Sequence, residues 1–449
     1  MMLDPTPLPG SDRGADRAAR RYENKLLLIL FLTFGFVFFD RQALLFLIPF
    51  INKDFHLSNT ALGTLSGVLA LAWALSGMFS GRLVDRLGRR KPVIIAAVLL
   101  FSAFSAVGGL VAGFAALLVA RALMGTAEGA VLPSAQSLMV EASQEHRRGL
   151  NMGLLQGSSA GLLGGILCPL VVVWVAEHYH WRTAFLVTVV PGMLLALWIW
   201  RSVKEVPPGG VVAAAETAPV GAACAPADRK PGIREILGHR NIVLCVLISC
   251  AYMTWFFVIV TFTPVYLTTV KGFSPGTMST VMTCFGVAWV IWGFLTPAVS
   301  DRFGRKATLI AFTAVAAVCP LAVMYVGSPL LLGVLVLLTY TGLGCFTLFM
   351  ATIPAETVPR GALATALGLV MGIGELAGGF LAPVIAGWAS DTWGLQAAMY
   401  ISAAGAVVVV LLSLGLRETA PAVLRRRSAS APSGLSASPD RAPADSGAA

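Results

Sequence analysis

Twelve stretches of about 20 mostly apolar residues alternate with short polar connections along the chain. Each is long enough to cross the hydrocarbon core of a bilayer as a helix. The predicted spans are 25–50, 58–79, 92–112, 115–137, 150–176, 182–200, 242–269, 277–299, 307–327, 329–352, 363–388 and 394–416. Three polar segments fall outside them: an arm over 1–22, a central loop over 202–240 rich in Ala, Pro and Gly, and a Ser/Ala/Pro/Arg tail over 418–449. Their composition predicts little fixed structure. The expected architecture is an all-α membrane protein of two six-helix bundles, 23–201 and 241–417, joined by the central loop.

Composition supports this reading. Charged residues make up 12% of the chain and hydrophobic residues 57%, against about 25% charged in soluble domains. So few charges cannot cover a water-facing surface, so most of the surface must face lipid. The net charge of +10 raises the question of nucleic acid, and its distribution answers it. With the N-terminus placed in the cytoplasm, 27 Lys and Arg fall on the cytoplasmic side and only Lys53, Arg182 and Lys271 on the other. This asymmetry predicts both termini in the cytoplasm and accounts for the basic balance without a nucleic-acid partner. Arg20-Arg21 ahead of an apolar run has the outline of a twin-arginine signal, but the run is too long, contains Asp40-Arg41 and lacks a small-residue cleavage site. The seven cysteines show no CxxC pair and no metal-like spacing with histidine, and no cofactor is expected beyond protons as coupling ion.

The two halves repeat. Gly81-Arg-Leu-Val-Asp85-Arg86-Leu-Gly88-Arg89-Arg90-Lys91 follows the second span, and Ser300-Asp301-Arg302-Phe303-Gly304-Arg305-Lys306 follows the eighth. Gly164-Gly165 with Pro169 in the fifth span answers Gly378-Gly379 with Pro383 in the eleventh. Internal duplication of this kind is a mark of secondary transporters, whose site lies between the halves near mid-membrane.

On these motifs the chain resembles the major facilitator superfamily. The motif Gly81-x-x-x-Asp85-Arg86-x-Gly88-Arg89-Arg90 carries the likeness; in its second copy Pro297 replaces the leading glycine. A finer resemblance is to the anion:cation symporter branch, with its sugar-acid carriers and sialin-like proteins. It is carried by Asp40-Arg41 before Leu44-Leu-Phe-Leu-Ile-Pro49, and by Arg121-Ala-Leu-Met-Gly125-Thr-Ala-Glu128-Gly129 with Pro133 beyond. It implies uptake of an organic anion with protons by alternating access. Drug exporters of the superfamily carry Gly-Pro-x-x-Gly-Gly in the fifth span; here Pro169 follows the glycines instead, which argues against export.

Five charges lie within predicted spans: Asp40, Arg41, Arg121, Glu128 and Glu375. Each costs about 2.5–3.5 kcal/mol on insertion scales and such residues mark functional paths; the alternative is that they pair only to staple helices together. Arg121 and Glu128, seven apart, share a helix face, with Gly125 between them leaving room for a helix or a ligand. Asp40 and Arg41 point about 100° apart, so that one can face the fourth span and the other the cavity. The four residues from Asp40 to Glu128 carry two charges of each sign. In the ionised state each arginine has a carboxylate to neutralise it. A proton on Glu128 or Asp40 leaves one arginine free to hold a substrate carboxylate bidentately, and a buried carboxylate is a ready proton acceptor. The resemblance implies the matching roles: Arg41 as anion anchor, Asp40 and Glu128 as proton carriers. Arg121 is expected to tune or gate them.

Glu375 departs from the branch, whose sugar-acid members place a neutral amide in this stretch; it is expected to contact substrate, to take a proton or to staple helices. Phe36-Val-Phe-Phe39 ahead of Asp40 is a second departure, since sugar-acid relatives often have polar residues there. With Trp73, Tyr252, Trp255, Phe256 and Trp289 it suggests an apolar cavity suited to an aromatic or weakly hydroxylated carboxylate, with Gln156 and Trp255 as further substrate contacts. Gly81, Asp85, Arg86, Gly88 and Arg89, with Asp301 and Arg302, form the expected gating motif. The competing reading is an anion exchanger or efflux carrier on the same fold; an enzyme is not expected, since no catalytic triad order or phosphate loop occurs. The protein is expected to work as a monomer in the cytoplasmic membrane of a bacterium.

Overall fold

A computed structural model describes residues 11–87, 89–204, 233–421, 423 and 424. Twelve helices among them are long and apolar enough to cross a membrane. In the first half they are α1 (Ser11–Phe55), α2 (Asn59–Leu87), α3 (Lys91–Leu110), α4 (Phe114–Ala142), α5 (145–178) and α6 (Trp181–Ser202). In the second they are α7 (Arg240–Val270), α8 (Pro275–Phe303), α9 (Arg305–Tyr325), α10 (Pro329–Thr357), α11 (360–393) and α12 (Gln396–Leu414). A short helix, Ile233–Leu237, precedes α7.

Polar contacts at the helix ends extend the order beyond the predicted spans and correct two expectations. Residues 11–22 of the supposed arm belong to α1. They are fastened by Glu23, which accepts from Asn151 Nδ2 at 2.7 Å and pairs with Arg147 at 3.4 Å, and by the Tyr22 hydroxyl, which accepts from Lys204 N at 3.1 Å. The tail is ordered at its start: the Glu418 carboxylate accepts from the first amides of α9, Arg305 N at 2.8 Å and Lys306 N at 3.2 Å, satisfying donors that a helix start leaves unpaired. Residues 1–10, most of the central loop and 425–449 lie outside the described residues.

Both ends of the bundle lie on one face, here the terminal face, and the halves meet unevenly across the molecule. Near the opposite face α2 lies against α11, and a Cβ at Gly63 or Gly67 would collide with the backbone of Pro383 or Phe380. α5 lies equally close to α8, with Gly165 against Gly286 and Gly161 against Val290. Near the terminal face the same glycine stripe of α5 is free: Gly153 and Gly157 have no heavy atom within 4 Å of an added Cβ, nor does Gly368 of α11. The halves are therefore packed backbone to backbone near the opposite face, while these three glycines nearer the terminal face have open space beside them.

Two π-helical stretches occupy related places in the halves, Ala160–Leu167 in α5 and Glu375–Leu381 in α11. Such widened turns are frequent at functional sites.

Candidate functional site

The site is built on α1. Asp40 and Arg41 diverge, as neighbours on a helix must. Asp40 points into the first bundle rather than toward α4. Its Oδ1 accepts from Ser105 Oγ of α3 at 3.1 Å, and Ser105 lies 3.0 Å from the Thr188 hydroxyl of α6. Asp40 is fully buried and its Oδ2 has no hydrogen-bond partner.

Arg41 points the other way, into a narrow chamber between the halves lined also by Gln42, Ser66, Arg121, Phe256 and Phe257. Its guanidinium carbon lies 5.1 Å from the ring centroid of Phe257, 5.5 Å from Trp73 and 5.9 Å from Phe38. Ring faces attract a cation, and these three hold Arg41 in place without neutralising it. Its Nη2 is buried and unbonded.

Arg121 and Glu128 share one face of α4, as their spacing predicts. Arg121 donates to the carbonyl oxygen of Arg41 at 3.0 Å. Neither oxygen of Glu128 has a hydrogen-bond partner, and the residue is fully buried. Gly125 leaves room for a helix, not a ligand: a Cβ there would meet the backbone of Leu69 on α2. The expected pairing of each arginine with a carboxylate is not found: among the described residues, none of the five membrane charges has an opposite charge within 4 Å. They share one buried region through longer-range fields.

Trp255 does not reach the chamber. It is 1% exposed, donates Nε1 to Ala316 O at 3.2 Å and packs on Tyr252 and Tyr340 inside the second bundle. Glu375 is buried on α11, its Oε2 unbonded. The Gln156 side chain lies outside the described residues, as do those of Asp85 and Arg86; Gly81 lies within α2, and Gly88 is outside them altogether. Arg89 is exposed. In the second copy of the gating motif the pairing falls to Arg305, which bridges Asp301 and, at 3.1 Å, Glu356 of α10; Arg302 lies exposed over Phe303. In the first half Arg90, one residue beyond the counterpart of Arg305, pairs with Glu141. Sequence reasoning missed Gln42, which lines both the chamber and the adjoining cleft beside Trp289, and Phe257. Adjacency to Arg41 was a usable signal for Gln42; nothing in the apolar run of α7 singled out Phe257.

The model of the Major Facilitator Superfamily matches residues 30–380. The chain belongs to that superfamily. As a superfamily member it is a multi-pass membrane transporter and not an enzyme. It is 24% identical over 408 residues to the hexuronate transporter of Bacillus subtilis, covering 87% of this chain and 94% of that one. It is 27% identical over 347 residues to a probable 4-methylmuconolactone transporter of Cupriavidus pinatubonensis, covering 76% and 78%. Among solved structures it resembles a bacterial homologue of the human lysosomal transporter Spinster, inward-facing and unoccupied, with TM-score 0.65 and 21% identity over 88% of this chain and 95% of that one. The superfamily fold places the Arg41 chamber where the two six-helix halves meet.

Proposed function

We propose that the protein imports a small organic anion together with protons across the bacterial cytoplasmic membrane, with its terminal face in the cytoplasm, as a monomer. The observation that carries the reading is Arg41: a buried guanidinium at the meeting of the halves, held by three aromatic rings, with no carboxylate of the described residues within 4 Å. A guanidinium in that state is a receptor for a carboxylate, which it can bind through two parallel hydrogen bonds. Glu128 and Asp40 supply proton acceptors in the same charge field. A proton on either removes a negative charge that competes with the incoming anion, so proton and anion favour each other's binding. Arg121, bonded to the α1 backbone, holds Arg41 in register.

The chamber walls favour a planar, weakly hydroxylated carboxylate. Phe38, Phe256, Phe257, Leu45 and Val260 give it apolar surface, while Gln42 and Ser66 are its neutral polar groups. Offset stacking on such rings suits an unsaturated or aromatic acid. The relative described as a probable 4-methylmuconolactone transporter supports this class, and the hexuronate transporter supports the broader class of organic acids.

Reconstituted vesicles test the reading. Proton influx driven by added organic acid is the expected outcome. Uptake that requires internal anion and ignores a pH gradient would assign the protein to exchange instead.

A further inference from the structure

The coupling scheme uses two carboxylates and two guanidiniums and leaves Glu375 without a task. Its position is specific. Glu375 opens the π-helical stretch of α11, is 4% exposed, and its Oε2 is buried without a hydrogen-bond partner. The carboxylate leans over Gly379: a Cβ built there lies 2.5 Å from Glu375 Oε2, 3.2 Å from Phe257 Cε2 and 3.4 Å from Ala70 Cβ. Glu375 therefore sits where α11 and α7 meet α2 of the other half. Phe257 is also the ring nearest the Arg41 guanidinium, so the Glu375 carboxylate and Arg41 lie by the same ring. Among the described residues, α2 and α7, which pack on this stretch, offer no counter-charge there. α2 has no ionisable residue between 59 and 81, and the titratable groups of α7 at this level are Cys250, whose Sγ lies 3.8 Å from the Ile373 carbonyl, and Tyr252, buried in the second bundle against Trp255 and Phe349.

The formal charges do not balance. Arg41 and Arg121 face Asp40, Glu128 and Glu375, so the ionised region carries one net negative charge before any anion enters. A monovalent anion makes it two. One proton leaves the loaded region charged in a low-dielectric setting, which is costly; two make it neutral.

We propose that Glu375 is a second proton-coupling carboxylate, on the half opposite Asp40 and Glu128. With the chamber empty it is an anion, out of contact with Arg41. The substrate carboxylate binds the guanidinium and adds its negative charge to the region, and Glu375 gains a proton from solution as a new O–H bond. No covalent bond to substrate forms. The loaded carrier holds one anion and two protons, one on Glu375 and one on Glu128 or Asp40. Each turnover moves one net positive charge inward, so the membrane potential drives uptake as well as the pH gradient. This rests on the proton-coupled uptake proposed above.

The test is charge per substrate in proteoliposomes, with 4-hydroxybenzoate, galactonate and glucuronate as probe acids. At equal pH on both sides, a potassium–valinomycin potential, negative inside, is expected to accelerate wild-type uptake, and the reversal potential to report one positive charge per anion. Glu375→Gln is expected to retain uptake driven by a pH gradient and to lose the response to potential, its charge per anion falling to zero. Unchanged charge per anion in Glu375→Gln overturns the proposal. If that variant does not reach the membrane, electroneutral transport by the wild type overturns it alone. Absence of wild-type uptake for all three acids counts against the uptake reading itself. Arg41→Ala, expected to lose uptake of every acid, tests that reading separately.

Discussion

Arg121 of α4 donates its Nη2 to the backbone carbonyl of Arg41 on α1, 3.0 Å away. Two guanidiniums are thereby brought into one buried region, with no carboxylate of the described residues in contact with either. A helix carbonyl in the middle of a span already accepts one bond from its own helix, and its second lone pair is free for Arg121. The bond fixes the height of α1 against α4. It also separates the roles of the two arginines, since Arg121 is engaged as a strut while Arg41 keeps an unbonded Nη2.

Arg41→Ala is expected to abolish thermal stabilisation of the purified protein by every organic acid that stabilises the wild type. Truncating one partner of a buried charge pair costs about 2–5 kcal/mol, or roughly 30-fold to 5,000-fold in affinity. Arg41→Lys is expected to retain a weak response, because an ammonium keeps the charge and loses the planar fork. Unchanged stabilisation of Arg41→Ala would remove the anchor from the scheme.

Glu128→Gln separates binding from coupling. The amide keeps the shape and mimics the protonated acid, so counterflow of labelled against unlabelled substrate is expected to persist. Accumulation against a gradient is expected to stop, and the pH dependence of uptake to flatten. A variant that still accumulates substrate in response to a pH gradient would assign the coupling proton elsewhere.

The closed face has a definable latch. Asp391 at the end of α11 accepts from Asn59 N at 2.8 Å, Thr60 N at 2.9 Å and the Thr60 hydroxyl at 2.6 Å. A residue of the second half thus caps the first turn of α2 in the other half, where a carboxylate is favoured by the unpaired amides. The cap must break when this face opens. Loss of an N-cap costs about 0.5–2 kcal/mol, so Asp391→Ala is expected to raise the population open at this face by about 2-fold to 30-fold. Spin labels at Ser58→Cys and Thr392→Cys read it as a longer distance; an unchanged distance distribution would show that the latch carries no weight.

How much of this was legible in the sequence follows from where contrast exists. Charges within apolar runs stand out, so Asp40, Arg41, Arg121, Glu128 and Glu375 could be picked out before any fold was known. Repeats at matched spacing showed the two halves. The direction of an aromatic side chain on an all-apolar helix has no such contrast, because helical periodicity is read from an alternation of polar and apolar faces. α7 lacks that alternation through Trp255, Phe256 and Phe257. Polar helix ends were misjudged for a different reason. Residues 11–22 and Glu418 look like solvated chain until tertiary partners such as Asn151 and the first amides of α9 are known.

The same stretch of α7 supplies a discriminating pair of substitutions. Trp255 and Phe257 are two residues apart, about 200° around a helix, and so face opposite ways: Trp255 into the second bundle, Phe257 onto the guanidinium of Arg41. Trp255→Ala empties a closed core site, where such a loss costs about 3–5 kcal/mol; it is expected to lower the melting temperature sharply and leave the affinity of the surviving folded protein near that of the wild type. Phe257→Ala removes a ring worth about 0.5–2 kcal/mol to a neighbouring cation and one wall of the chamber. It is expected to weaken acid binding several-fold with a smaller thermal penalty. Binding titrations and melting curves on both variants check the assignment. If Trp255→Ala weakened binding more than Phe257→Ala at equal folded fraction, the chamber would lie on the other face of α7.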